Sequence, residues 1–190
     1  MGRWQPGARE RLVLAAVDLF AEQGYDQTTV VQIASRAGVT KSTFFRHFSD
    51  KRDLLVAGQE TMSRLLAEGI ATASPSATPL EAVAAGLTEA STAFGEVSRE
   101  IAPRISAIVA ANAELEEREA LKSASMAEAM TRALADRGVS DATAALAAEL
   151  GVLAFKRGFA SWSAGDREDE FAPHALAALA ELRTAAAGLG

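Results

Sequence analysis

Residues 28–55, TTVVQIASRAGVTKSTFFRHFSDKRDLL, constrain this chain more than any other stretch. Val30, Ile33, Ala34 and Ala37 fall at i, i+3, i+4 and i+7, the apolar stripe of an amphipathic helix. Thr29 precedes them and Gln32 lies three residues on, the spacing of a capping box that satisfies free N–H groups at a helix start. Gly38 supplies a positive φ to end that helix, and Thr40 is placed to cap a second one over about 41–47. At about 100° per residue, Phe44 and Phe48 share one side of the second helix, while Ser42, Thr43 and Arg46 point the other way. Helix, short glycine turn, helix is the layout that sets a recognition helix in a DNA major groove. A third helix is expected to open near Asp50.

The same residues fit a longer pattern, T-V-x-x-I-A-x-x-A-G-V-T-x-x-T-x-F-x-H-F-x-x-K-x-x-L. This resembles the TetR-type transcriptional regulators over about 50 N-terminal residues. The resemblance implies that Lys41, Ser42, Thr43, Phe45 and His47 line DNA, and that Thr28, Thr29 and Lys51 hold phosphate. Arg46 joins them because it points outward on the same helix. Two positions depart from the family pattern. Phe45 stands where tyrosine is usual, losing a hydroxyl for phosphate but keeping an apolar face for a thymine methyl. Ser42 stands where a small or apolar residue is common, so the operator sequence is not implied.

Charge agrees with a protein that touches nucleic acid at one end. The net charge of the 190 residues is −6. Residues 1–56 carry eight Lys/Arg against six Asp/Glu, whereas residues 57–190 carry eleven against nineteen. A mildly basic head on an acidic body localises any polyanion contact to the head. The absence of cysteine excludes disulfides and thiolate metal sites. The start, MGRWQPGARER, has no apolar core, so no secretory leader is expected. No run approaches the ~18 apolar residues of a membrane span. A cytoplasmic protein is expected.

Scarce proline, abundant alanine and helical periodicity throughout predict an all-α chain of about nine helices. A DNA-binding domain is expected over 1–53 and an effector-binding and dimerisation domain over 54–190. Residues 1–7 read as a loose arm in which Arg3 could reach a phosphate. The first helix, about 8–23, should bury Leu12, Ala16, Leu19 and Phe20, end at Gly24 and leave Tyr25 as a core plug. A helix is expected over 50–72, capped by Ser49 or Asp50, with Lys51 and Arg52 in its first turn. SPSATP at 74–79 is the clearest linker-like break. Further helices are predicted over 80–97, 99–111 (with Pro103 near its beginning), 113–137, 141–163 (capped by Asp141) and 169–187.

The helix over 141–163 is apolar on two opposite sides, Leu146, Leu150 and Leu153 on one and Val152, Phe155, Phe159 and Trp162 on the other. One side can meet its own chain, and the other needs a partner. The TetR resemblance implies dimers through the last two helices, so Leu146, Leu150, Leu153, Leu176 and Leu179 are the expected dimerisation residues. It also implies an effector cavity in the body, for which Phe94, Ile105, Ile108, Met126, Met130 and Phe155 are candidates, with Arg104, Lys156 or Arg157 for an anionic end. Methionine and aliphatic lining suits an apolar or acyl ligand. No catalytic, cofactor or metal motif is found, and neither His47 nor His174 has a second histidine at metal-ligand spacing.

These readings converge on a homodimeric regulator that binds double-stranded operator DNA, usually as a repressor, and is released by an unidentified small effector. Two alternatives stay open at this point. One is a helical enzyme or carrier for acyl compounds with a vestigial head. The other is a regulator without an effector, controlled by a partner protein.

Overall fold

The computed structural model describes residues 7–56, 59–94, 96–165 and 169–189. The expected N-terminal arm with Arg3 lies outside them. Ten helical segments, and no strand, occur among the described residues: α1 (Ala8–Gln23), α2 (Val30–Arg36), α3 (Lys41–His47), α4 (Asp53–Val56), α5 (Gln59–Thr72), α6 (Pro79–Ser91), α7 (Glu96–Ala110), α8 (Ala113–Asp136), α9 (Asp141–Ala164) and α10 (Phe171–Ala187). The helix expected over 50–72 is present as α4 and α5. Lys51 and Arg52 lie in the turn before α4 rather than in its first helical turn.

The chain divides into two compact units. The head holds α1–α4, but it also takes Glu100–Glu119, which the sequence reading had assigned to the body. The reason is apolar burial. Leu115 is buried with Leu12, Ala16, Phe20, Ile33, Phe44 and Phe48 in one core, and Ile105, Ile108 and Val109 pack against it. Helical periodicity marks those residues as one buried stripe without saying whose core they enter. The Arg104 guanidinium adds an ion pair to Asp18 of α1.

The second unit holds α5, α6, α9, α10 and α8 from Ala120 onward. SPSATP is a turn inside this unit, between α5 and α6, and not a linker between units. Thr78 caps α6 by accepting from Glu81 N, and the Glu81 side chain reaches back to Thr78 N. α5 and α6 touch backbone to backbone: a Cβ added to Gly69 would lie 2.6 Å from Ala85 O and 2.7 Å from Gly86 Cα. The end of α5 is held from afar. The Arg137 guanidinium donates to Ile70 O at 3.1 Å, Ala73 O at 3.0 Å and Ser74 O at 2.6 Å. Helix C-termini leave carbonyls without intrahelical partners, and Arg137 satisfies them.

Three further boundaries differ from expectation. α6 stops at Ser91, so Phe94 lies beyond it, and a separate helix begins at Glu96. Pro103 stands well inside α7. Ser140, not Asp141, occupies the cap position of α9 and bonds Thr143 Oγ1.

Candidate nucleic-acid interface

The head places α3 on a rigid support. Phe44 and Phe48 are buried with the α1 and α2 side chains beneath them. Gly38, at φ 67°, makes the turn from α2 into α3, a conformation an L side chain adopts only at a steric cost. Thr40 then caps α3, its Oγ1 accepting from Thr43 N at 3.1 Å. Arg11, from α1, donates through Nε to Ala37 O at the end of α2. α2 is tied to α1 a second time by Arg36, whose two terminal nitrogens meet the two Glu22 oxygens at 2.9 and 2.8 Å. That bond, together with the Arg36 charge, holds the Glu22 carboxyl below the usual carboxylate range.

The outer face of α3 is largely polar and carries two cations, Lys41 and Arg46. Lys41, Ser42, Phe45, Arg46 and His47 are all exposed. Phe45 is 50 % exposed, an unusual position for a large apolar ring, and the Lys41 ammonium lies 5.8 Å from its centroid. Arg46 donates to Thr43 Oγ1 at 3.1 Å, and that oxygen is 3.0 Å from Thr40 Oγ1. The guanidinium is thereby oriented by its own helix before any ligand arrives. Thr29 is exposed at the start of α2, where its hydroxyl accepts from Gln32 N and its N–H donates to Gln32 Oε1.

Two residues expected at phosphate, Thr28 and Lys51, have partners within the head. Thr28 is 1 % exposed. Its hydroxyl donates to Gly24 O and accepts from Gln23 Nε2, so it closes the α1–α2 turn instead of facing solvent. Lys51 turns its ammonium onto the same segment, donating to the carbonyls of Tyr25, Asp26 and Thr28. Arg11 and Gln23 were not singled out from the sequence. Their partners are backbone carbonyls and hydroxyls brought near by folding, and no local motif signals them.

The candidates for the effector are divided between the units. Arg104, Ile105 and Ile108 belong to the head, where Arg104 is paired with Asp18 and the two isoleucines pack on the core. Met126 and Met130 are buried in the second unit, and Met130 lies against Gly151. Phe94 and Phe155 join Phe159, Trp162 and Phe171 in an aromatic cluster, the Phe94 and Phe171 centroids 4.5 Å apart. The two sides of α9 are resolved. Val152, Phe155 and Trp162 are buried within the chain, whereas Leu146 is 62 % and Leu153 40 % exposed. Leu150 and Leu176 are half-buried. Leu179, expected at a dimer contact, is buried within its own chain, one turn of α10 from Ala175, which packs on Gly158 of α9.

A capped helix–turn–helix on a three-helix core, presenting a short helix with Lys41 and Arg46 outward, has the layout of a DNA-binding head. Residues 12–57 match the family model "Bacterial regulatory proteins, tetR family". This segment is similar to the corresponding segment of that family. It is similar to TcmR, an HTH-type transcriptional regulator of Streptomyces glaucescens, with 48 % identity over 46 residues, or 24 % of this chain and 20 % of that protein. It is similar to BepR, an HTH-type transcriptional repressor of Brucella suis, with 46 % identity over 46 residues, 24 % of this chain and 22 % of that one. The match thus spans about a fifth of the length of these curated relatives. Across nearly the whole chain the fold is similar to that of solved structures. The SmeT–triclosan complex aligns at TM-score 0.61 with 21 % identity, over 94 % of this chain and 90 % of that one. FadR from Bacillus subtilis, in complex with stearoyl-CoA, aligns at 0.54 with 22 % identity, over 90 % and 96 %.

Proposed function

We propose that the chain is a transcriptional regulator that binds operator DNA as a homodimer and does so by binding alone, without catalysis. The observation that carries this is the outer face of α3, where Lys41, Ser42, Phe45, Arg46 and His47 stand exposed on a helix anchored by buried Phe44 and Phe48. Lys41 and Arg46 supply charge for phosphate or guanine, Ser42 and Thr43 supply hydroxyls, and Phe45 an apolar contact for a thymine methyl. Thr29 adds an exposed hydroxyl at the entry to α2.

One short helix offers few base contacts, and operator selectivity in such proteins comes from two half-sites. The exposed leucines of α9, Leu146 and Leu153, with half-buried Leu150 and Leu176, form the face on which the second copy docks. The effector is a small, mostly apolar or acyl-type molecule held in the body, and its binding releases the DNA. The likeness in fold to proteins solved with triclosan and with stearoyl-CoA supports that class. The place of action is the cytoplasm. No helix among the described residues is long and apolar enough to cross a membrane.

A gel-shift or fluorescence titration on the DNA upstream of its own gene tests this reading. Binding that weakens steeply with salt, and weakens further in Lys41→Ala, is expected. No binding at low salt to any such fragment would overturn it. Sedimentation at micromolar concentration tests the dimer. Leu146→Glu should shift it to monomer, and a wild-type monomer would refute the α9 face.

A further inference from the structure

Arg11, Arg36, Arg46, Arg52 and Arg104 of the head each donate to an acceptor of the protein, in turn Ala37 O, Glu22, Thr43 Oγ1, Asp50 and Asp18. Arg9, in the first turn of α1, meets no hydrogen-bond acceptor and no carboxylate among the described residues. It is exposed, and its guanidinium carbon lies 5.5 Å from the centroid of the Phe48 ring. A cation in a first helical turn opposes the positive end of the helix dipole. Glu10 beside it does not relieve this, because its carboxylate turns back to accept from Gly7 N at 2.9 Å. Nothing within α1 favours an arginine at this position.

We propose that Arg9 is a DNA-backbone contact: its guanidinium, held over Phe48, takes a phosphate beside the C-terminal end of α3. The place follows from Phe48, the residue on which α3 ends. Phe48 is buried, its N–H donates to Phe44 O at 2.9 Å, and its ring centroid is 6.4 Å from that of exposed His47. Arg9 therefore adds a cation from a different helix to the end of α3 that already presents Arg46 and His47. A helix of seven residues is about 10 Å long, and the major groove is about 12 Å wide. With α3 seated in the groove, the surface beside its end meets the bounding phosphate strand. The N–H groups of a guanidinium lie in its plane, so resting against an aromatic face leaves them available for a two-pronged, charge-assisted bond to phosphate. A phosphate there also removes the conflict with the α1 dipole. Such a contact carries no base information and fixes orientation, so α1 both supports α3 from behind and sets the angle at which it enters the groove.

This inference deepens the DNA-binding reading and rests on it. The test titrates the full chain against the fragment upstream of its own gene and against a mixed-sequence duplex of equal length, each over a series of salt concentrations. Arg9→Ala should weaken binding to both duplexes alike, about tenfold at about 0.1 M salt. One phosphate lost from each of two heads should lower the slope of log K against log salt by about 2. Arg9→Lys keeps the charge, so it should recover most of the slope while binding less tightly than wild type, because the fork is gone. Melting of Arg9→Ala should shift by no more than about 3 °C, as for removal of an exposed group. Wild-type affinity and slope in Arg9→Ala would overturn the contact. So would lost affinity at an unchanged slope, or a loss accompanied by a larger fall in melting temperature that Arg9→Lys does not rescue. Failure of the wild type to bind either duplex would instead sink the DNA-binding reading, and Arg9 with it.

Discussion

The Arg104 guanidinium meets the Asp18 carboxylate at 2.6 Å, joining α7 to α1 across 86 positions of sequence. Both side chains are more than a third exposed, so solvent screens the pair. Arg104→Ala should cost the head under about 1 kcal/mol. A double-mutant cycle with Asp18→Ala, read by urea denaturation, should give a coupling of about 0.2–1 kcal/mol. Zero coupling would mean that residues 100–119 are held to the head by apolar packing alone.

Phe44 and Phe45 are neighbours with opposite duties. Phe44→Ala empties a fully buried site and should destabilise the head by about 3–5 kcal/mol. Phe45→Ala removes an exposed ring and should leave thermal stability nearly unchanged while weakening operator binding. The two are separated by measuring melting and DNA affinity on the same preparations. Equal destabilisation would show that the Phe45 ring is part of the support for α3 and not of its contact face.

Asp50 sets an acid limit. Burial pushes its carboxyl up, but hydrogen bonds from the Arg52 guanidinium and the Asp53 and Arg52 amides, with the Arg52 charge, outweigh this and hold it below the usual aspartate range. A carboxylate depressed in the fold contributes stability that is fully present above its unfolded value of about 3.9 and is lost as pH falls through the folded value. Wild type should therefore exceed Asp50→Asn in urea midpoint near neutrality, and the gap should close on acidification below about pH 4. A gap that stays constant down to that range would refute this role for the Asp50 charge.

Arg137 holds the end of α5 by backbone acceptors alone. Arg137→Ala leaves two partly buried carbonyl contacts, at Ile70 and Ala73, and an exposed one at Ser74 without their donor, and should cost the second unit about 1–3 kcal/mol. Arg137→Lys should recover less than half, because a point charge cannot reproduce the fork that reaches Ile70, Ala73 and Ser74 together. Hydrogen exchange should show the loss concentrated at residues 68–74. A uniform loss across the unit would point instead to general packing.

Local chemistry was legible in the sequence wherever both partners lay within a few residues. The Thr29–Gln32 box, the Thr40 cap, the glycine turn at Gly38 and the buried faces of α1, α2 and α3 are all of this kind. What escaped is what folding brings together. The stripe of Ile105 and Ile108 announced a buried face, yet only the structure shows that it enters the head. The three carbonyls that meet Lys51 lie more than twenty residues earlier, and nothing in its own neighbourhood reveals them. α9 declared two apolar sides, and only the packing of Val152, Phe155 and Trp162 says which one its own chain covers. The early end of α6 and the interior Pro103 were misjudged because periodicity carries on through a break when apolar residues happen to keep phase.

The contact of Gly69 with Gly86 bears on how the second unit can move. An added Cβ at Gly86 would sit 2.7 Å from Leu66 O, just as one at Gly69 would strike Ala85 O. With backbones this near, neither helix can slide along the other without driving an adjacent side chain into peptide groups. α5 and α6 must therefore travel as a single plank. Whatever rearrangement the second unit undergoes has to be taken up at the outer faces of that plank, against α9 and α10, and not at the seam within it.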